Sequence, residues 1–254
     1  MKFALSTNIK TVQFNDLQYI VTSNSRRVLG SLIAEYNSGI HCFTLVGTYG
    51  TGKSSFLAAL ERDLLLNTKY LFENKGQFNG YTKFQTLNIV GDYNTLSNLL
   101  SEELESNTAN TKEFFARLEQ RLNEHKKKNE FLLFVIDEFG KILEHAANHN
   151  PEKELYFLQQ LAEFVNHSKH DNIILITTLH QSFGAYSKKL SEQQRNEWEK
   201  VKGRFKEIVF SEPVEQLLHL AAVQIEKSSK RIVSEKNFET LFEMLIFFYI
   251  YKFL

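Results

Sequence analysis

His41-Cys42-Phe43-Thr44-Leu45-Val46-Gly47-Thr48-Tyr49-Gly50-Thr51-Gly52-Lys53-Ser54-Ser55-Phe56-Leu57-Ala58 reads as a buried strand, a glycine-rich turn and the opening of a helix. Gly47, Gly52, Lys53 and Ser54 satisfy G-x-x-x-x-G-K-[ST], with an apolar β-prone run before the turn and a helix-forming run after it. Backbone N–H groups wrap a polyphosphate only where the chain comes close and visits positive φ, which glycine permits at Gly47, Gly50 and Gly52. The helix beginning near Lys53 aims its unpaired N–H groups and positive dipole end at the same anion. Lys53 adds a mobile cation for the β- and γ-phosphates, and the Ser54 hydroxyl is suited to Mg2+. The phosphate-binding set is Gly47, Thr48, Tyr49, Gly50, Thr51, Gly52, Lys53, Ser54 and Ser55.

The second diagnostic stretch is Phe131-Leu132-Leu133-Phe134-Val135-Ile136-Asp137-Glu138. Its apolar run predicts a strand buried on both faces, as in a parallel sheet with helices on either side. Acids closing such a strand are costly unless they are in use. Asp137 is read as the Mg2+ residue and Glu138 as the group that polarises an attacking water; the alternative for Glu138 is a cap on the next helix. Ile173-Ile174-Leu175-Ile176-Thr177-Thr178 is a third buried strand, ending in hydroxyls. If it lies between the first strand and the acidic one, a polar side chain at its end reaches the γ-phosphate. Thr178 is favoured there, with Thr177, His180 and Gln181 as alternatives.

Outward from these strands, the pattern predicts a lead-in over 1–22 and a helix to Tyr36 capped by Ser23 or Asn24. Ile20 and Val21 are candidates for base contacts or for plain core packing. Further elements are expected as a helix over 53–66, a loop over 67–79, a strand over 84–89 and a helix over 95–105 capped by Asn94 or Thr95. Helices over 111–127 and 151–167 follow, the first closed by Lys126-Lys127-Lys128, read as a cationic C-terminal cap with a nucleic-acid contact as the alternative, and the second opened by Pro151. Residues 182–203 are polar and helical in their second half; a final short strand over 203–210 and a helix from Pro213 to about 226 complete the pattern.

Length and composition agree with an α/β domain and a small appendage: 254 residues, 43% apolar and 24% charged. Thirty basic and thirty acidic residues cancel, which leaves no global electrostatic footprint for nucleic acid. The single cysteine, Cys42, falls in the predicted buried strand and has no partner for an internal disulfide, in keeping with a reducing cytoplasm. The N-terminus lacks the apolar run of a secretory signal, and no stretch reaches the ~20 apolar residues that cross a bilayer.

This order of elements, with Arg204-Phe205 before a short strand and Pro213 opening a helix, resembles the AAA+ ATPases, especially the Orc/Cdc6-like and related large bacterial branches. The resemblance spans about residues 20–226 and implies an α/β fold: a P-loop NTPase three-layer sandwich with a mostly parallel sheet over 23–212, followed by a partial helical lid over 213–254. It equates Gly47–Ser54 with the Walker A element, Asp137 and Glu138 with Walker B, and Thr178 or a near neighbour with sensor 1. Arg204 stands where that family carries an arginine finger, or else is a surface cation paired with a local acid. ATP and Mg2+ are the implied cofactors. Self-assembly or partner ATPase subunits are the implied partners, with DNA reached through partners or further domains.

The stretch Leu179–Tyr186, with Arg195–Trp198 and Lys202–Phe205, is similar to large bacterial ATPases of anti-phage systems, including the BREX type. Only one or two lid helices fit after Pro213, and the aromatic last ten residues do not resemble a lid helix, which suggests a shortened module. A DNA-binding initiator or loader, and a nonhydrolysing nucleotide-binding module, are the alternative functions.

Overall fold

A computed structural model describes residue 9 and residues 19–72, 76–104, 111–188, 190–213, 215–218, 220 and 222–223. The chain divides into two units, Met1–Ser211 and Glu212–Leu254. In the first unit five strands form one sheet: β1 (Cys42–Val46), β2 (Lys83–Val90), β3 (Glu130–Asp137), β4 (Ile173–Leu179) and β5 (Lys206–Val209), in the order β2-β3-β4-β1-β5. Every pairing is parallel. The C-terminal ends of the strands therefore share one edge of the sheet, where open parallel sheets bind ligands.

The helices are α1 (Ser23–Asn37), α2 (Lys53–Leu66), α3 (Leu96–Leu104), α4 (Thr111–Lys127), α5 (Phe139–Asn148), α6 (Pro151–Val165) and α7 (Glu192–Lys202), with a 3₁₀ turn at Phe183–Ser187. They cover both faces. Alternate residues of the strands feed two cores, as the two-residue period of a strand requires. On one face Phe43, Leu45, Val135, Ile174 and Ile176 pack with Val28 and Leu32 of α1 and Phe56, Leu57 and Leu60 of α2. On the other, Cys42, Leu132, Phe134, Ile136 and Leu175 pack with apolar residues of α3 to α7. β3 from Phe131 onward and all of β4 are buried, which accounts for their unbroken apolar runs.

Local chemistry sets the element ends. The cap of α1 is Thr22, not Ser23 or Asn24: its hydroxyl accepts from the Ser25 N–H at 3.0 Å, and Ser25 Oγ accepts from the Thr22 N–H at 2.9 Å. The reciprocal bond to a serine three residues on decides the position. Thr95 caps α3 by accepting from the Asn98 N–H at 3.1 Å. The predicted helix over 151–167 ends at Val165, where Asn166 takes over: Oδ1 accepts from the N–H groups of His41 and Cys42 at 2.8 and 3.2 Å, and Nδ2 donates to the Arg204 carbonyl at 2.9 Å. That one amide ties the end of α6 to the start of β1 and to the approach to β5.

Two predicted segments are corrected. The last strand is confined to Lys206–Val209, because Gly203 and Arg204 close α7 in a turn. A separate helix, α5, fills 139–148, where no element was expected. Lys126 is an ion-pair partner as well as a cationic cap, 2.6 Å from Asp171 Oδ1. In the second unit, the Leu217 N–H donates to the Pro213 carbonyl at 3.0 Å, so Pro213 begins a helical turn. Most of the lead-in and of the predicted lid, and all of the aromatic tail, lie outside the described residues.

Candidate functional site: a phosphate loop facing an acid-tipped strand

Residues 47–52 connect β1 to α2 at the C-terminal edge of the sheet. Gly50 and Gly52 have φ of +78° and +93°, and Gly52 enters α2 with no side-chain cap. The positive dipole end of α2 thus opens onto the loop without a capping side chain. Gly47 is needed for a different reason: a Cβ there would overlap the Phe210 carbonyl oxygen. The Phe210 N–H donates to the Val46 carbonyl at 2.7 Å, so the loop leaves the sheet pressed against the chain emerging from β5. Lys53 Nζ spans the turn, donating to the carbonyls of Gly47 and Thr48 at 2.5 and 2.9 Å. Burial lowers the Lys53 ammonium from its usual range, and the charge of Asp137 opposes that shift.

Asp137 ends β3 buried, and Thr178 of β4 donates to its Oδ1 at 2.6 Å. The Glu138 N–H lies 2.9 Å from Thr178 Oγ1 and 3.1 Å from Asp137 Oδ1, closing a small network. Thr177 points to the opposite face, where its hydroxyl meets Thr44 Oγ1 at 2.9 Å and donates to the Phe43 carbonyl at 3.2 Å. Of the hydroxyls closing β4, Thr178 is thus the one joined to the acid. β4 lies between β1 and β3, the condition under which its end was expected to matter.

Glu138 is outside the strand, in the left-handed region at φ +54°. Its carboxylate is ion-paired with Lys141 one turn along α5. The turn is held from below by Gly91, just past β2: its N–H donates to the Asp137 carbonyl at 2.7 Å, and a Cβ on it would overlap the Glu138 carbonyl oxygen. Sequence reading missed Lys141 and Gly91. A glycine directly after a strand was the available signal for close backbone approach.

Arg204 stands apart from this group. Its Nη2 pairs with Glu163 and its Nη1 donates to the Lys200 carbonyl, at 2.5 and 2.6 Å, which matches the local-acid alternative within one chain. Ile20 and Val21 are partly buried at the start of α1.

The donor set fits a magnesium-bound nucleotide. An uncapped helix N-terminus, a half-buried ammonium and positive-φ glycines suit a polyphosphate, and the hard oxygens of Ser54 and Asp137 suit Mg2+. A parallel sheet carrying a phosphate loop, with a hydroxyl-tipped strand between it and an acid-tipped one, defines a P-loop NTPase domain. The family described as AAA domain matches residues 37–181, more than half of the sequence, and the chain belongs to that family.

Among solved structures, the chain is similar to ORC2 of Aeropyrum pernix in its ADPNP-ADP complexes, with 14% identity, a TM-score of 0.53, and coverage of 87% of this chain and 56% of that one. PCH-2 of C. elegans gives 16% identity and a TM-score of 0.49 over 89% of this chain and 53% of that one. Cdc6p of Pyrobaculum aerophilum gives 17% and 0.46 over 87% and 53%. The chain spans about half the length of these structures. No curated protein matches it in sequence.

Proposed function

We propose that this chain binds and hydrolyses ATP and that its nucleotide state controls its packing against neighbouring subunits. The observation that carries the reading is the 2.6 Å bond from Thr178 to Asp137, on a strand seated between the phosphate loop and the acid. Backbone N–H groups of residues 47–55 and the Lys53 ammonium bind the phosphates. Ser54 and Asp137 hold Mg2+, which supplies charge neutralisation on the phosphates when bound. Thr178 keeps the Asp137 carboxylate in one orientation and, with it, the backbone of Glu138.

Glu138 accepts the proton of the attacking water, for which its carboxylate turns away from Lys141. Both side chains of that pair are more than a third exposed, at 41% and 48%. Such a pair is worth about 1 kcal/mol or less, so releasing it is a small cost. Arg204 offered to a neighbour's site makes hydrolysis dependent on assembly. A cytoplasmic setting accords with the single buried thiol at Cys42, and among the described residues no helix is long and apolar enough to cross a membrane. A role in phage defence has its support in the 179–205 stretch, and contact with DNA is assigned to partner subunits or further domains.

The test pairs Lys53→Ala with Glu138→Gln. Lys53→Ala is expected to weaken binding of a fluorescent ATP analogue at least tenfold, while Glu138→Gln binds it normally and turnover falls about a hundredfold or more. Equal turnover in both variants and the parent chain excludes the assignment.

A further inference from the structure

Tyr49 lies in the phosphate loop with 73% of its surface exposed, yet its ring is engaged. It stacks on His180 with centroids 4.7 Å apart and planes at 19°. His180 follows β4 directly, two residues beyond Thr178. On its far side, His180 Nδ1 is 3.1 Å from Tyr186 Oη, and the two rings meet edge to face at 5.6 Å. Tyr186 is buried in the 3₁₀ turn, and burial, followed by the Glu144 carboxylate, raises its phenol. The phenol stays protonated and has a hydrogen to share with the imidazole. Tyr186 Oη fills the space that a side chain at position 140 would need: a Cβ on Gly140 would overlap it and lie 3.0 Å from Cζ. Gly140 is the second residue of α5, whose first turn follows Glu138.

The contacts run without a break from the phosphate loop, through the end of β4, to the helix that carries the acid turn. We infer that His180 is a positioning residue that sets the spacing between phosphate loop and acid turn, through Tyr49 on one side and Tyr186 against Gly140 on the other. The inference rests on the ATP-hydrolysis reading above. Phosphate binding needs the loop's N–H groups and Lys53, none of which the stack supplies. Cutting the stack therefore loosens the placement of Glu138 relative to the phosphates while leaving affinity nearly intact.

The experiment compares Tyr49→Ala, Tyr49→Phe, His180→Ala and the Tyr49→Ala/His180→Ala double variant with the parent chain and Lys53→Ala. Turnover, binding of a fluorescent ATP analogue and amide exchange at 138–142 are measured on each, and thermal melting verifies that each is folded. Because displacements of about 1 Å can cost a hundredfold, kcat in Tyr49→Ala and His180→Ala is expected to fall roughly 10–100-fold with KM within about threefold. Tyr49→Phe keeps the stack and is expected to recover at least tenfold over Tyr49→Ala. The double variant is expected to be no slower than the slower single one, since both cut the same chain of contacts. Exchange at 138–142 in the nucleotide complex is expected to be about tenfold faster in Tyr49→Ala.

Parent-level kcat and exchange in Tyr49→Ala overturn the inference, as do multiplying losses in the double variant. A parent chain that binds ATP no better than Lys53→Ala overturns the parent reading, and the inference with it. If the parent chain binds ATP without turning it over, unchanged exchange in Tyr49→Ala overturns the inference and faster exchange supports it.

Discussion

Two buried carboxylates on α2 show how much depends on a single side chain. Asp63 accepts from Thr68 Oγ1 and from the N–H groups of Tyr70, Leu71 and Phe72, folding the chain after α2 around one acid. Removing it leaves donors without their acceptor, so Asp63→Ala is expected to cost about 2–3 kcal/mol and lower the melting temperature by roughly 4–12 °C. Glu61 is the opposite case. Burial raises its carboxyl above the ordinary 4.5, against the lowering effect of Asn88 and Thr86. A raised folded-state value means that the folded chain holds the proton more tightly, so stability falls as pH rises from about 4.5 toward neutrality. Asn88 donates to both Glu61 oxygens while its own buried Oδ1 has no partner, and a neutral amide at 61 can supply one. Glu61→Gln is therefore expected to melt higher at pH 7 and to show a flatter pH profile above 4.5 in scanning calorimetry.

At the scale of elements, the acid turn is a backbone device shared by β2, β3 and α5. Glu138 in the left-handed region costs on the order of 1 kcal/mol for a residue with a Cβ, and the turn persists because Gly91 and Thr178 hold its backbone. Gly91→Ala drives a methyl into the Glu138 carbonyl. The expected cost is about 1–3 kcal/mol of stability, with turnover falling further than binding of the ATP analogue; thermal melts and a binding titration on one preparation separate the two effects. The glycine after β2 reads in the sequence as a turn, but its packing under the acid turn does not, because that constraint comes from the end of another strand. By contrast the β1 and β3 runs were legible, since burial on both faces leaves a continuous apolar signature.

At the scale of the molecule, Arg204 separates a chain that acts alone from one that acts in an assembly. Within one chain it holds Glu163 and the end of α7. If it serves a neighbour's nucleotide, turnover per chain rises with protein concentration, and Arg204→Ala removes that rise while ATP binding persists. The pair with Glu163 lies at the surface, with Arg204 half-buried, and contributes about 1 kcal/mol, so the variant is expected to stay folded. Nucleotide itself is expected to stabilise the parent chain by about 2.7 kcal/mol at a hundred times its Kd and to stabilise Lys53→Ala by no more than about 1.4 kcal/mol at the same concentration, as read by melting in added ATP.

What the sequence determined alone was whatever depends on neighbouring residues: the strand, turn and helix around Gly47–Ser54, the double-sided burial of β3 and β4, and the acids at 137 and 138. Backbone freedom, capping and hydrophobic period act over a few residues and leave a local trace. Which hydroxyl meets Asp137, which threonine turns to the other face, why residue 91 has no side chain and where Arg204 rests were decided only by the tertiary structure. The Thr178–Asp137 bond joins residues 41 apart, and Thr177–Thr44 joins residues 133 apart. Such pairings depend on strand order and register, which no short stretch of the chain encodes.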